Sequence, residues 1–281
     1  MAVRLFMLTN QKFLIVLDCD GTLLTDEKTI MPKTAAYLKK LLSLGHIVTM
    51  ASGRPGRAVL PYYRELGCHG PFIGYNGALI VDPDDPTFPV FKKRFPKKVI
   101  QDFMDHFSES DFLNIMAEDD KNLYFLRPED DYENYFHPEN MIVHYGWMRD
   151  TIKDDLCSFI ISLREPEKTA PKVRSILNNY DDITFRAWSA DEQIGEFCFY
   201  DVNKSTAIEV LEKYYHIDRA HVIAFGDANN DIEMIKKAGV SFAMKNGDEN
   251  IKQSADYITP EDNNHEGIYL ALKQFLQDDE D

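Results

Sequence analysis

The stretch that decides the fold is Phe13-Leu14-Ile15-Val16-Leu17-Asp18-Cys19-Asp20-Gly21-Thr22, near the start of the 281-residue chain. Its apolar run, residues 13–17, is typical of a strand that is covered on both faces. The run ends in two carboxylates, which are costly to bury unless something uses their charge. Residues two apart in an extended chain project to the same side, so Asp18 and Asp20 can face one reacting group or one metal ion. Such a pair can also cap a helix or lie in a solvated turn.

Strand and helix patterns alternate at both ends of the chain. After the first strand, the sequence predicts a helix from Pro32, a strand over 47–50, a helix from Pro55 and a strand over 71–74. The C-terminal part predicts strands over 222–225 and 240–243 and helices over 231–238 and 268–276. This alternation predicts an α/β fold with one doubly wound, mostly parallel, Rossmann-like core sheet built from both ends of the chain.

The middle of the chain has a different pattern. Asp82-Pro83-Asp84-Asp85-Pro86 is rich in turn residues, and less regular strand patterns such as 158–163 and 197–200 follow it. We therefore expect a discontinuous core domain, residues 1–83 and 196–281, with an α+β domain inserted over residues 84–195.

Charge and composition limit the classes of partner. The formal net charge of −16 argues against nucleic acid and membrane lipid as partners, because both are anionic. A phosphorylated substrate would also be repelled, so its site needs a local cation. The 4 cysteines are scattered, no secretion signal is evident, and no apolar run approaches the ~20 residues of a membrane helix. These features predict a cytoplasmic protein.

Three further segments carry candidate site residues. Gly226-Asp227-Ala228-Asn229-Asn230-Asp231 follows a predicted strand, and its clustered oxygens suit magnesium, although Asn and Asp are also common helix caps. Ala51-Ser52-Gly53-Arg54 offers a hydroxyl and free amides before a helix, which form an anion site or an ordinary turn. Lys204 lies at a predicted helix start, where a cation opposes the helix dipole unless it has an anionic partner.

With these four segments in this order, the chain resembles the haloacid dehalogenase superfamily and, within it, the Cof-type phosphatases with a type IIB cap. Two further segments match that pattern. Gly74-Tyr75-Asn76-Gly77-Ala78 precedes the insertion, and Gly239-Val240 is followed by Ala243-Met244 and Asn246. The resemblance covers the predicted core domain at both ends and implies that the inserted domain is a cap.

The resemblance implies a role for each matching residue. Asp18 is expected to be the nucleophile and Asp20 the general acid and base, with a pKa raised by burial and by neighbouring carboxylates. Asp18, the Asp20 backbone carbonyl and Asp227 are expected to bind Mg²⁺. The residues expected to bind the phosphate or the rest of the substrate are Cys19 through its amide, Ser52, Gly53, Arg54, Lys204 and Asn230. Supporting residues are expected to be Thr22, Asn76 and Asp231.

The implied function is Mg²⁺-dependent hydrolysis of a small phosphorylated metabolite through an aspartyl-phosphate intermediate, with the cap closing over the site. Sugar phosphates, flavin mononucleotide and pyridoxal phosphate are the candidate substrate classes. A phosphotransferase or sugar-phosphate mutase would share these motifs, and a non-catalytic regulator that binds a phosphorylated metabolite would share the fold. Arg186 and Trp188 are either specificity residues or ordinary strand residues. The sequence does not indicate the oligomeric state.

Overall fold

The computed structural model describes residues 12–128, 135–188 and 191–278. The chain divides into two compact units, one formed by Met1–Phe91 with Asn203–Asp281 and the other by Lys92–Val202. Residues 1–11 and 279–281 of the predicted core domain, and 129–134 and 189–190 of the predicted insertion, lie outside the described residues. No helix in the described ranges is long and apolar enough to cross a membrane.

The division between the units lies further along the chain than the boundaries 83/84 and 195/196 expected from the sequence. Phe88 is buried in the same apolar cluster as Ala207 and Ile208, so the first unit continues beyond the turn-rich segment that suggested its end. At the other boundary, the strand Ile194–Phe199 pairs within the sheet of the second unit. The role of the second unit as a cap stays a prediction.

Fourteen strands are formed by the described residues. In chain order, β1 to β14 are Leu14–Leu17, Ile47–Met50, Phe72–Gly74, Leu79–Val81, Phe91–Lys92, Phe112–Glu118, Asn122–Phe125, Ile142–Tyr145, Ser158–Leu163, Ile183–Ala187, Ile194–Phe199, Val222–Gly226, Val240–Ala243 and Tyr257–Ile258.

Eight α-helices are formed by the described residues. In chain order, α1 to α8 are Pro32–Ser43, Gly56–Leu66, Lys97–Met104, Pro166–Leu177, Lys204–Tyr215, Ile232–Lys237, Glu249–Lys252 and Gly267–Phe275.

The first unit contains a five-stranded parallel sheet in the order β14-β13-β12-β1-β2. β1 lies between β12 and β2, with Leu17 in register with Phe225 on one side and Met50 on the other. The first and last parts of the chain therefore build a single sheet, as the sequence predicted. Because all five strands are parallel, the residues that follow their carboxyl ends emerge at one edge of the sheet.

Both faces of this sheet are covered by helices. Ile15 and Leu17 pack in a cluster with residues of α1, α2 and α8, whereas Leu14 and Val16 pack in a cluster with residues of α5 and α6. The apolar run of β1 is therefore buried on both sides, which explains why it shows no alternation of apolar and polar residues. The doubly wound α/β fold is confirmed.

β3 does not join the parallel sheet as a full strand. It touches it through one bridge, Ala51 with Ile73, and pairs antiparallel with β4. The chain reverses between β3 and β4 because Tyr75 and Asn76 take left-handed backbone conformations, with φ of 47° and 53°. This tight reversal makes a hairpin instead of a crossover.

The second unit contains a six-stranded sheet in the order β10-β11-β9-β6-β7-β8, antiparallel except for the β7–β8 pair. Its aromatic core is centred on Phe103 of α3, whose ring lies 4.9 Å from that of Phe197 and 5.9 Å from that of Phe159. An antiparallel sheet with helices α3 and α4 gives the α+β architecture expected of the insertion.

We expect Phe103→Ala to lower the free energy of unfolding by about 3–5 kcal/mol, because it removes a fully buried ring from this core. Urea denaturation followed by circular dichroism measures the change. Ile142→Ala in the same unit is the control, because that side chain is 59% exposed and its loss should cost little. Equal stability of the two variants would contradict the assignment of this core.

Candidate active site

The site is built where β1 and β12 end side by side. The Asp18 amide donates to the Phe225 carbonyl at 3.1 Å, which continues the strand pairing to the last residue before the loops. Asp18 and Asp227 each follow one of these strands, so parallel pairing alone brings residues from opposite ends of the chain to one edge. The Asp18 side chain is nearly inaccessible, with the residue 5% exposed.

Lys204 at the start of α5 neutralises part of this buried charge. Its Nζ donates to Asp18 Oδ1 at 2.5 Å and to Asp231 Oδ1 at 2.6 Å, and the residue is 0% exposed. Burial by itself would lower the pKa of Lys204, but the two carboxylates outweigh it and hold this pKa above its ordinary value. The lysine is therefore charged, and its anionic partners offset the unfavourable position at a helix N-terminus.

The start of α5 is held in place by two local contacts. The Asn203 side chain accepts a hydrogen bond from the Thr206 amide at 3.0 Å, which caps the helix. Gly77, with φ of +105°, lies against the same residue, because a Cβ at Gly77 would meet the Asn203 carbonyl oxygen at 2.3 Å. The reversal after β3 therefore needs glycine at this point, and it packs against the residue that precedes Lys204.

Asp231 connects Lys204 to the loop that carries Asp227. One carboxylate oxygen accepts from Lys204, while the other accepts from the amides of Asp227 at 3.1 Å and Ala228 at 3.3 Å. Asp231 is therefore hydrogen-bonded both to the loop and to the lysine, and its supporting role in the reaction stays a prediction.

The side-chain oxygens of Asp18, Asp227 and Asp231 form a cluster, with one oxygen of each residue within 4.8 Å of the others. Burial, followed by repulsion from Asp231, raises the pKa of Asp18 well above its usual range and raises the pKa of Asp227 to about 7. One ammonium group is thus hydrogen-bonded to two of three crowded carboxylates. Clustered carboxylate oxygens with unbalanced negative charge fit a small divalent cation such as Mg²⁺.

Thr22 and Gly21 fix the Asp227 carboxylate from the other side. Thr22 Oγ1 donates to Asp227 Oδ1 at 2.8 Å. Gly21 has φ of +74°, and a Cβ there would lie 2.3 Å from Asp227 Oδ2. The carboxylate therefore lies against bare backbone, and the turn that follows Asp20 accepts glycine alone without strain.

The carboxylate of Asp20 is hydrogen-bonded to two cations. Arg54 donates to it twice at 2.6 Å, from Nε and from Nη2, and Lys28 Nζ donates at 2.7 Å. Burial alone would raise the pKa of Asp20, but the hydrogen bonds and charges of Arg54 and Lys28 outweigh it and lower this pKa. The expectation of a raised pKa is wrong for this arrangement, because the nearest charged groups are positive.

Three further residues of the predicted phosphate site, Arg54, Ser52 and Cys19, are buried in the first unit. Arg54 is 2% exposed and directs its guanidinium group to Asp20. Ser52 is buried, and its Oγ accepts a hydrogen bond from the Arg54 amide at 3.1 Å, across Gly53. Cys19 is buried in the apolar cluster of the first unit, so only its backbone amide can serve a ligand, as the resemblance implied.

Asn76 and Asn230 meet each other. Asn230 Nδ2 donates to Asn76 Oδ1 at 3.0 Å, which ties the loop of Asp227 to the hairpin turn after β3. Asn76 is also joined to the β2 segment, because its amide donates to the Ser52 carbonyl at 2.9 Å. Three loops that the sequence singled out separately are therefore linked through these two asparagines.

The structure adds contacts that sequence reasoning did not assign. Lys28 reaches Asp20 from the turn after it, and Asn246 and Asn263 donate to the backbone of that same turn at 2.8 Å and 3.0 Å. Asn246 belongs to a segment that matches the family pattern, but the resemblance implies no role for it. A single sequence gives no signal for Lys28 or Asn263, since lysines and asparagines are common in exposed turns.

Comparison with known proteins agrees with this geometry. The family model of haloacid dehalogenase-like hydrolases matches residues 15–272. A curated relative from Bacillus subtilis (strain 168), 5-amino-6-(5-phospho-D-ribitylamino)uracil phosphatase YitU, is 31% identical over 95% of this chain and 98% of its own length. The Escherichia coli (strain K12) protein of the same activity, YbjI, is 27% identical over 94% of this chain and 96% of its own length.

Solved structures give the same result for the fold. The subclass IIB sugar phosphatase BT4131 aligns with a TM-score of 0.75 at 20% identity, and the match covers 94% of this chain and 99% of that one. At this identity the likeness concerns the fold alone. Since the family model spans nearly all of the described residues and the relatives match over their full length, the chain belongs to the haloacid dehalogenase-like hydrolase family, as an enzyme of its phosphatase class.

Proposed function

We propose that the protein is a Mg²⁺-dependent phosphatase that hydrolyses a small phosphorylated metabolite through an aspartyl-phosphate intermediate on Asp18. The observation that carries this proposal is the contact of Lys204 with Asp18 and Asp231 beside Asp227, at the edge where β1 and β12 end. A nucleophilic carboxylate, a fixed positive charge and a cation-sized group of oxygens are the parts that phosphoryl transfer needs.

The residues that would hold Mg²⁺ are Asp18 and Asp227 through their side chains and Asp20 through its backbone carbonyl. The Asp231 carboxylate lies close enough to be a further Mg²⁺ ligand, but its two oxygens already accept hydrogen bonds from Lys204 and from loop amides. These contacts favour a supporting role. When bound, Mg²⁺ would offset the repulsion between the phosphate dianion and the attacking carboxylate.

Asp18 would attack the phosphorus, so that one of its oxygens bonds to phosphorus as the bond to the leaving oxygen breaks. Lys204 holds Oδ1 of Asp18 and adds a positive charge beside the phosphoryl group. The leaving alkoxide takes a proton from Asp20. Water then attacks the acyl phosphate and gives a proton to Asp20, which frees Asp18 and releases phosphate.

The two steps need different states of Asp20. The ion pairs with Arg54 and Lys28 suit the second step, in which an ionised carboxylate accepts a proton. The first step needs the protonated acid, so Asp20 must lose these ion pairs when substrate binds. Arg54 is hydrogen-bonded to Asp20 in this structure, and its binding of the phosphate or the rest of the substrate stays a prediction.

The names of two relatives guide the choice of compounds to test. Both proteins are named for 5-amino-6-(5-phospho-D-ribitylamino)uracil, a phosphate ester on a ribityl chain attached to a ring. We propose that compound as the first to test, followed by flavin mononucleotide, which has the same phosphorylated chain, then sugar phosphates and pyridoxal phosphate. Residues 92–202, as the cap, would select among them. Location in the cytoplasm stays a prediction.

A panel of these compounds, assayed for released phosphate with and without Mg²⁺, tests the proposal. Transfer of phosphate to a sugar hydroxyl instead of water would favour the phosphotransferase or mutase alternative. Binding of a phosphorylated compound with no turnover at all would favour the regulator.

We expect Asp18→Asn to lower kcat by at least about a thousandfold, because the amide is a poor nucleophile. The circular dichroism spectrum should stay unchanged, because asparagine has the same shape. Labelled phosphate should appear on the wild-type protein after acid quenching and not on the variant. Near wild-type turnover would show that Asp18 is not the nucleophile.

Asp20→Asn should slow alkyl phosphates by about 10²–10⁴-fold and aryl phosphates much less, because aryl leaving groups need little protonation. Steady-state kinetics with p-nitrophenyl phosphate and with the best alkyl phosphate of the panel measures the difference. Equal losses on the two substrates would argue against proton transfer by Asp20.

In the absence of divalent cations, the free energy of unfolding should fall as pH rises from about 4 to about 7. The pKa of Asp227 is raised from 3.8 to about 7, so the folded state binds its proton more tightly than the unfolded state and loses this advantage over that window. Asp227→Asn should flatten the fall, and Mg²⁺ should lessen it in the wild type. Urea midpoints measured in EDTA at several pH values test this, and parallel profiles for the two proteins would contradict it.

A further inference from the structure

β1 ends at Leu17, so Asp20 lies beyond the sheet and its position depends on the turn that follows. The inner side of this turn, residues 21–26, is held by the strand end: the Leu23 amide donates to the Asp18 carbonyl at 3.2 Å and the Leu24 amide to the Cys19 carbonyl at 2.8 Å. These bonds fix its base.

Asparagines from a distant part of the chain bind the outer side of the 21–26 turn. Asn263 Nδ2 donates to the Leu24 carbonyl at 3.0 Å and to Asp26 Oδ1 at 3.1 Å. Asn246 Nδ2 donates to the Gly21 carbonyl at 2.8 Å, and its Oδ1 accepts from the Asn263 amide at 3.2 Å. The two asparagines therefore act as one unit that is bonded to the beginning, middle and end of the turn.

The last residue of the turn, Asp26, is also hydrogen-bonded to a third asparagine, Asn264. Asp26 accepts from Asn264 Nδ2 at 3.1 Å, and its amide donates to Asn264 Oδ1 at 3.0 Å. Lys28 follows two residues later, in a left-handed conformation with φ of 60°, and its ammonium group reaches Asp20. The asparagines thus determine the position of the backbone from which Lys28 approaches Asp20.

Asn263 is suited to this position by its chemistry as well as its place. It is 5% exposed, and one NH₂ group serves a carbonyl and a carboxylate at once. An aspartate of the same shape would place negative charge against both acceptors. An apolar residue would leave the Leu24 carbonyl without this donor in a nearly buried place.

We propose that Asn263, coupled to Asn246, is a positioning residue for proton transfer: it holds the 21–26 turn and thereby places the Asp20 carboxyl relative to the leaving oxygen. The inference rests on the proposed function, because it takes Asp20 as the acid and base. Asn263 does not touch the reacting atoms. Its effect should therefore appear in the step that Asp20 performs and not in attack by Asp18.

Asn263→Asp and Asn263→Ala test the proposal. For each variant we expect kcat to fall about 10- to 100-fold on the best alkyl phosphate and less than about threefold on p-nitrophenyl phosphate, with KM little changed, because a misplaced acid matters only where the leaving group needs a proton. Hydrogen exchange at the Leu23 and Leu24 amides should become faster. A loss of packing alone would slow both substrates alike.

Asn250→Ala is the matched control, an exposed asparagine in the same stretch of chain, and it should leave both rates unchanged. Asn246→Asp is the second variant: at an exposed residue it replaces the donor to Gly21 with a carboxylate oxygen and keeps the acceptor for the Asn263 amide. It should show the same selective loss if the Asn263 variants do not fold.

Asp20→Asn run in parallel separates two failures. In one outcome, Asp20→Asn slows alkyl phosphates much more than p-nitrophenyl phosphate, while the asparagine variants slow both substrates equally or neither. That result overturns the positioning role. If Asp20→Asn itself shows no selectivity, the assignment of Asp20 fails, and the inference fails with it.

Discussion

The buried ammonium group of Lys204 is the interaction on which the rest of the site depends. A fully buried lysine is stable only where anions replace the water it has lost, and here Asp18 and Asp231 do so. Asp231 in turn binds the amides of the loop that carries Asp227. One charge thus joins three segments that lie far apart in sequence, and its removal would leave two carboxylates buried without a counter-charge.

The site divides its charges between two sides. Burial, followed by repulsion from Asp231, raises the pKa of Asp18, whereas Arg54 and Lys28 lower the pKa of Asp20. Two aspartates two residues apart therefore differ in their readiness to hold a proton. Such a difference in environment is what the proposed roles of Asp18 and Asp20, nucleophile and acid, would require. In a chain of net charge −16, such local arrangement of a few cations would offset the repulsion of an anionic ligand.

Much of this arrangement could be predicted from sequence because it depends on strand ends. Apolar runs located β1, β2, β12 and β13 to within a residue, and parallel pairing then placed Asp18 beside Asp227. The environment of Asp20 could not be predicted, because it depends on which way Arg54 turns and on a left-handed residue at Lys28. The unit boundary at Phe91 was likewise hidden, since local turn residues gave no information on where Phe88 packs.

The burial of Cys19 between the two aspartates has a consequence for how the enzyme tolerates oxidising conditions. Desolvation, followed by the charges of Asp18 and Asp20, raises the pKa of this thiol to about 12, so almost none of it is thiolate at neutral pH. Peroxides and alkylating reagents react with thiolates. The cysteine adjacent to the proposed nucleophile is therefore a poor target for such reagents.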